Sequence, residues 1–157
     1  MARAHIVNIV AIIQARMGSS RLPGKSLNYP INGVPILQRI VERVQRSQVN
    51  DIIIATTTKS EDDAIATLAR SLHVRCYRGS SDNVLARYWH AAKEVSADVV
   101  VRLTADNPFT FPSIIDKVVG ALGVSDFASN AISRTYPKGC DVEVLQMDTL
   151  ERVNRMA

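Results

Sequence analysis

Three cations, two glycines and two serines fall within twelve consecutive residues near the start of the chain. They lie in the segment Gln14-Ala15-Arg16-Met17-Gly18-Ser19-Ser20-Arg21-Leu22-Pro23-Gly24-Lys25, directly after an apolar run. Glycine lets the backbone approach a ligand closely and present its N–H groups, and serine hydroxyls add donors. Arginine offers a planar fork of donors to phosphate oxygens, and lysine offers a point charge. The segment therefore predicts a loop that binds a polyphosphate.

Two familiar phosphate-binding motifs do not describe this loop. A Walker A loop, G-x-x-x-x-G-K-[ST], has one residue fewer between its glycines than separate Gly18 from Gly24, and Pro23 interrupts the run. The G-x-G-x-x-G fingerprint of dinucleotide-binding proteins is absent. On the residues alone, the alternative is a solvated basic loop without a ligand.

Short apolar runs alternate with helical patterns along the chain. The segment after Pro35 has apolar residues at the spacing of one helix face, and proline suits a first helical turn. The predicted strands are Ile6 to Gln14, Asp51 to Thr57, Val74 to Tyr77 and Asp98 to Leu103, with shorter ones at Phe127–Ala128 and Val142 to Leu145. This order predicts an α/β fold with a doubly wound, mostly parallel Rossmann-like sheet, in a single domain over residues 1–157.

Residue types that suit helix starts precede two of the predicted helices. Ser60 with Asp63 resembles a capping box, and Ser81 or Asp82 can cap a helix that runs to about Val95. Between the elements, residues 15–33 are expected to form one long loop. Ligands of doubly wound sheets bind at the carboxyl ends of strands, so the loops after Gln14, Thr57 and Leu103 are the places to look.

Beyond these physical signals, the chain resembles the sugar cytidylyltransferases. The resemblance is to the spore-coat polysaccharide biosynthesis protein F group, which is related to the CMP-KDO and CMP-acylneuraminate synthetases. The matching blocks keep their order over nearly the whole chain. They are Ile12 to Lys25, Asp62-Asp63-Ala64-Ile65, Arg78 to Tyr88, Val101 to Pro108, Ser129-Asn130, Arg134 to Gly139 and Asp141 to Val144.

The resemblance implies a fold of the nucleotide-diphospho-sugar transferase type, here expected to lack its C-terminal part. It implies a Mg²⁺-dependent enzyme that transfers CMP from CTP to a sugar acid and releases pyrophosphate in surface polysaccharide biosynthesis. A homodimer is expected on the same ground. The base preference for cytosine rests on the resemblance alone. The alternative function is a catalytically inactive nucleotide-binding or regulatory module of the same fold.

The resemblance also implies site residues. The expected catalytic residues are Arg16, Lys25 and Asp106, and Asp106 is the expected Mg²⁺ ligand. The expected nucleotide contacts are Gln14, Ala15, Arg16, Gly18, Ser19, Ser20, Arg21, Lys25, Asp82 and Thr104.

A second metal-binding carboxylate is expected at Asp141. Asp141 and Glu143 alternate with Val142 in an apparent strand, so both side chains lie on one face. That face could belong to the metal site or to an edge strand protected by charge. Asp141 is favoured for the metal because it follows Lys138-Gly139. Arg102 lies in an otherwise apolar strand, which predicts a partner carboxylate or phosphate.

Two further polar residues, Asp82 and Arg87, are candidate contacts to the base or the sugar. The alternatives are a helix cap and a surface cation, respectively. The chain also departs from the resembled group, which usually has Gly where Ala105 stands, Cys at Asn107 and an acid at Phe111. An added methyl group at Ala105 is tolerable if φ is not positive there.

The composition excludes other classes of protein. The net charge of +4 suits an anionic ligand, and the cations concentrate in one loop, so no nucleic-acid partner is expected. No apolar run approaches the about 20 residues of a membrane span. The two cysteines, Cys76 and Cys140, show no paired metal spacing and no disulfide framework, which favours a reduced, cytoplasmic location.

Overall fold

Six strands form one mixed sheet in a computed structural model that describes residues 6–18 and 22–157. The strands are β1 (Ile9–Gln14), β2 (Asp51–Thr57), β3 (Arg75–Gly79), β4 (Val99–Thr104), β5 (Phe127–Ser129) and β6 (Glu143–Gln146). Their order across the sheet is β3-β2-β1-β4-β6-β5. The first four in this order are mutually parallel, whereas β6 runs antiparallel to both β4 and β5. The predicted mostly parallel, doubly wound α/β fold is confirmed.

Helices cover both faces of this sheet. They are α1 (Lys25–Asn28), α2 (Ile36–Val44), α3 (Asp63–Ser71), α4 (Val84–Glu94), α5 (Pro112–Leu122) and α6 (Met147–Met156), and a 3₁₀ turn at Ser60–Asp62 precedes α3. The buried residues of α2, α3 and α5 share one core with Ala11 and Ile13 of β1. Those of α4 and α6 share the other with Val10 and Ile12. Successive residues of β1 thus enter opposite cores, because side chains alternate across a strand.

The boundaries differ from the predictions mainly near the first loop. β1 begins at Ile9 instead of Ile6, and α1 occupies part of the segment expected to be one long loop. Pro35 is the cap residue before α2 and does not itself belong to the helix. In the part of the chain that the structure describes, no helix is long and apolar enough to cross a membrane. The single domain over residues 1–157 stays a prediction.

The predicted capping box of Ser60 and Asp63 is wrong. Asp62 is the cap residue of α3, and no side chain makes a capping hydrogen bond there. The predicted cap of α4 at Ser81 or Asp82 is also wrong, because Asn83 Oδ1 accepts from Ala86 N at 2.8 Å. The segment before it forms its own turn, in which Ser80 Oγ accepts from the backbone N–H groups of Asp82 and Asn83. This turn moves the helix start to Asn83.

Candidate active site

The carboxyl ends of β1, β2 and β4 meet at one edge of the sheet. Gln14 pairs with Thr104 on one side and with Ala55 on the other. Beyond the strands, Ala15 N donates to Ala55 O at 3.0 Å and Ala105 N donates to Gln14 O at 2.9 Å. The loops that follow β1 and β4 therefore leave the sheet side by side, as the switch-point rule predicts.

The loop after β1 closes on itself through Met17 and Gly24. Gly24 N donates to Met17 O at 2.8 Å. Gly24 has a φ of +70°, and a Cβ atom added there would collide with the side chain of Asn28. Only glycine adopts this conformation at little cost. Lys25, the first residue of α1, is thereby fixed next to the chain that leaves β1.

Arg16 and Lys25, the two cations of this loop that the structure describes, are unpaired among the described residues. Arg16 is exposed and Lys25 is half-buried. Among the residues that the structure describes, neither side chain makes a hydrogen bond or an ion pair. Gly18 is exposed beside Glu61, whose Oε1 would lie 2.7 Å from an added Cβ. The predicted contacts at Ser19, Ser20 and Arg21 lie outside the described residues.

Asp106 follows β4 and presents an exposed carboxylate at the same edge. Thr104 Oγ1 donates to Asp106 Oδ1 at 2.6 Å, which orients the carboxylate and leaves Oδ2 available. Within residues 6–18 and 22–157, no cluster of three or more His, Cys, Asp or Glu side chains could hold a metal ion. Mg²⁺ commonly takes one or two protein carboxylates and completes its shell with phosphate oxygens and water. A single oriented carboxylate beside the loop predicted to bind phosphate fits that donor set.

Asp141, the expected second metal ligand, makes a bidentate ion pair. Its two oxygens accept from Nη1 and Nη2 of Arg134 at 2.7 and 2.9 Å. Glu143 instead pairs with Arg102, whose guanidinium also lies 5.5 Å from the ring centroid of Tyr88. The carboxylate partner predicted for Arg102 is confirmed. The metal-binding role of Asp141 stays a prediction, and it requires that carboxylate to leave Arg134.

The alternative interpretation of Arg87 as a surface cation is wrong, because only 1% of the residue is exposed. Its Cγ lies 3.1 Å from the position a Cβ atom would take at Gly79, so the side chain crosses the carboxyl end of β3. One guanidinium nitrogen donates to Ser80 O, whereas Nε and Nη2 have no protein partner. Burial and the charge of Arg16 lower the pKa of Arg87. Asp82 is exposed, with its Oδ1 accepting from Ser81 Oγ at 3.0 Å.

Asp62 is a residue at this edge for which the sequence provides no role. It is fully buried, and Oδ1 accepts from Met17 N at 2.7 Å. Oδ2 accepts from both the backbone N–H and the hydroxyl of Thr57, the last residue of β2. The only signal in the sequence is its place in the block Asp62 to Ile65, which does not distinguish it from Asp63.

Two departures from the resembled group have plain structural consequences. Ala105 is buried, and it is not among the described residues with positive φ, so its methyl group is tolerated. Phe111 is the cap residue of α5 and has no side-chain acceptor to offer the helix. Its ring instead lies 5.1 Å from the Arg43 guanidinium carbon, in cation–π geometry.

A mostly parallel sheet whose carboxyl edge carries an oriented carboxylate and two cations without partners among the described residues is typical of α/β proteins that bind nucleotides. A family model described as cytidylyltransferase matches residues 10–155. The chain belongs to that family.

Three relatives extend this finding. The chain is 42% identical to the uncharacterized protein MJ1063 of Methanocaldococcus jannaschii over 147 residues, which are 93% of this chain and 60% of that protein. It is 39% identical to the spore coat polysaccharide biosynthesis protein SpsF of Bacillus subtilis over 73% of this chain and 49% of that protein. Identity to the 3-deoxy-manno-octulosonate cytidylyltransferase of Geobacter sulfurreducens is 34%, over 74% of this chain and 46% of that enzyme. The chain thus spans about half of the length of these relatives.

Solved structures show the same fold. A cytidylyltransferase from Leptospira borgpetersenii superposes with a TM-score of 0.91 at 33% identity, over 97% of this chain and 66% of that one. A CMP:2-keto-3-deoxy-manno-octonic acid synthetase complexed with CTP superposes with a TM-score of 0.76 at 19% identity, over 96% of this chain and 78% of that one.

Proposed function

We propose that this chain carries the site of a cytidylyltransferase that joins CMP from CTP to a sugar acid and releases pyrophosphate. One observation carries the proposal. Arg16 and Lys25, in the loop after β1, have no partner among the described residues, and the oriented carboxylate of Asp106 follows the neighbouring strand β4. Cations without protein partners next to a metal-binding carboxylate suit a nucleoside triphosphate.

Arg16 and Lys25 bind the triphosphate in this proposal. Arg16 supplies a fork of donors, and Lys25 supplies a charge held at the start of α1 by the Met17–Gly24 hydrogen bond. Burial, followed by repulsion from Arg16, lowers the pKa of Arg87, and a bound anion relieves that repulsion. Nε and Nη2 of Arg87 also lack an acceptor among the described residues, and burying such donors without acceptors is costly. Oxygens of a bound phosphate would supply acceptors at this edge.

Asp106 is the residue that holds the metal ion. Its Oδ2 is available for Mg²⁺, while the Thr104 hydroxyl fixes Oδ1. When bound, the ion neutralises charge that develops on the phosphate oxygens. A fold neighbour that is 13% identical to this chain has been solved in complex with manganese. Since the identity of the metal is not fixed by the fold, Mg²⁺ is part of the proposal.

The reaction joins the acceptor oxygen to the α-phosphorus. A hydroxyl of the sugar acid forms the new P–O bond and loses its proton, and the bond from the α-phosphorus to the bridging oxygen of pyrophosphate breaks. The contribution of this chain is to orient the triphosphate and to neutralise its charge through Arg16 and Lys25.

The acceptor class and the pathway are supported by relatives. A 34% identical relative is named a 3-deoxy-manno-octulosonate cytidylyltransferase, and a 39% identical one is named for spore coat polysaccharide biosynthesis. We therefore propose a sugar acid as acceptor and surface polysaccharide biosynthesis as the role. A homodimer and a cytoplasmic location complete the proposal, and the two free cysteines are compatible with the latter.

The test is an assay of pyrophosphate release from CTP with a panel of sugar acids, including 3-deoxy-manno-octulosonate, with and without Mg²⁺. The proposal predicts Mg²⁺-dependent release with at least one sugar acid, abolished by Asp106→Ala. Binding of CTP without release by any acceptor would favour the alternative, a nucleotide-binding module without transfer activity.

A further inference from the structure

We propose that Asp62 is the positioning residue of the phosphate-binding loop, setting Arg16 and Lys25 for a triphosphate. The inference rests on the proposed function for its ligand, and on the hydrogen bonds of Asp62 for its geometry. Asp62 is far from Met17 in sequence, at a separation of 45 residues, yet its carboxylate joins the first loop to the end of β2.

The carboxylate accepts from three donors on two segments. Met17 N donates to Oδ1 at 2.7 Å. Thr57 N donates to Oδ2 at 3.3 Å, and the Thr57 hydroxyl donates to the same oxygen. The hydroxyl oxygen in turn accepts from Lys59 N at 3.2 Å, which orients it. A fully buried carboxylate needs such donors, because burying it without them is costly.

The hydrogen bond from Met17 N to Asp62 positions the two cations indirectly, through the backbone on either side of them. Met17 follows Arg16 directly, so fixing its N–H fixes the peptide unit that carries Arg16. The carbonyl of Met17 then accepts from Gly24 N at 2.8 Å, and Lys25 follows Gly24. Asp62 therefore holds both ends of the loop through one backbone residue, without any contact of its own to a ligand.

The acceptor chemistry requires a carboxylate at this position. In Asp62→Asn only one acceptor oxygen remains for donors on both sides. Thr57 presents two donors to one end of the carboxyl group, and Met17 presents a single N–H to the other end. The amide oxygen of the variant is therefore expected to accept from Thr57. The amide NH₂ then faces Met17 N–H, and that bond is lost. The substitution thus loosens the loop while it keeps the size of the side chain.

The effect is selective for the triphosphate. Arg16 and Lys25 bind the triphosphate in the proposed function, and CMP carries only one of its three phosphates. A displaced loop therefore weakens CTP binding more than CMP binding, whereas general loss of structure weakens both.

The experiment compares Asp62→Asn with Asp98→Asn in the full chain. Asp98 Oδ2 accepts from Asn8 N at 2.7 Å, the same kind of bond at the opposite edge of the sheet. Amide hydrogen exchange at Met17 and Gly24 and dissociation constants for CTP and CMP are measured for each. Thr57→Val, which removes one donor to Asp62 and suits a strand, serves as a second variant with a smaller effect.

Asp62→Asn is expected to speed exchange at Met17 and Gly24 and to weaken CTP binding about tenfold, because a hydrogen bond to a charged group is lost. CMP affinity is expected to change by no more than about twofold, since CMP offers the loop one phosphate where CTP offers three. Asp98→Asn changes none of these readouts. Unchanged exchange at Met17, or equal losses for CTP and CMP, overturns the inference. An unmodified chain that does not bind CTP contradicts the proposed function instead, and exchange at Met17 then still tests Asp62.

Discussion

The two edges of the sheet use polar side chains differently. At the amino edge, Asp98 accepts from Asn8 N, and Asn50 Oδ1 accepts from Ile9 N at 2.8 Å. The Asn8 amide donates to Val95 O at 2.9 Å. At the carboxyl edge, Arg16 and Lys25 have no partner among the described residues, and buried Arg87 has two unpaired nitrogens.

We interpret this difference as a division of roles: polar groups at the amino edge stabilise the fold, and the cations at the carboxyl edge bind the ligand of the proposed function. Asp98 and Asp62 both accept a backbone N–H at 2.7 Å, but Asp98 holds the entry to β1, whereas Asp62 holds a loop. Unpaired cations do not stabilise a fold, and the triphosphate of the proposed function would account for their concentration at one edge. Changes at the amino edge should thus alter stability alone, and changes at the carboxyl edge should alter nucleotide binding.

The largest expected effect is that of Asp106→Ala. In Mg²⁺, CTP should bind about a hundredfold more weakly, because the metal loses its protein carboxylate. The melting temperature of the unliganded chain should stay unchanged, since the side chain is exposed. Calorimetric titration measures both affinities. Chelation of the metal should reduce CTP binding by the unmodified chain to the level of the variant, and a variant that binds as tightly as the unmodified chain contradicts the metal role.

Gly24→Ala and Gly33→Ala form a matched pair with similar φ values of +70° and +76°. Each should lower the free energy of unfolding by about 1–2 kcal/mol, because both impose a left-handed conformation on alanine. Gly24→Ala should lower it further, because its Cβ atom would also collide with the side chain of Asn28. Only Gly24 closes the phosphate-binding loop, and a Cβ atom at Gly33 has no neighbour within 4 Å. CTP affinity should therefore fall for Gly24→Ala alone. Urea denaturation and titration test the pair, and equal losses of CTP affinity would contradict the assigned role of Gly24.

Lys25→Ala should weaken CTP binding about tenfold, because one charge-assisted contact to phosphate is removed. Stability should hold, since the ammonium group has no partner among the described residues. Lys117→Ala removes the same charge from α5 and provides the control. If both variants lost affinity equally, net charge rather than a phosphate contact would explain the effect.

Asn50→Ala should cost about 1 kcal/mol of unfolding free energy, because Ile9 N loses its acceptor at the amino edge. CTP affinity should not change. A loss of affinity here would break the separation between the two edges.

The fold could be predicted from the sequence because its signals are local. The central parallel strands β1, β2 and β4 each contain a short run rich in Val or Ile, and the order of strands and amphipathic helices along the chain indicates the fold class. The signal for the proposed phosphate-binding loop is likewise local, since its cations and glycines lie within twelve consecutive residues. Antiparallel β6 and the register of the strands depend on contacts between distant segments.

The role of Asp62 and the burial of Arg87 could not be predicted, because they also depend on contacts between distant segments. The carboxylate of Asp62 is used 45 residues away at Met17, and the local pattern instead favours a capping role near Ser60. Arg87 is buried because Gly79, on a different element, leaves space for its side chain. In both cases the role arises from tertiary contacts that residue spacing does not encode.

The most direct test of the account is the stability of the full chain with CTP, UTP, ATP and GTP, each with and without Mg²⁺. The account predicts that CTP with Mg²⁺ stabilises the fold by about 2.7 kcal/mol at about 100 times its dissociation constant. The other nucleotides should stabilise it less, and Asp106→Ala should abolish the part that depends on Mg²⁺. No stabilisation by any nucleotide would contradict the claim that the carboxyl edge of this sheet is a nucleotide site.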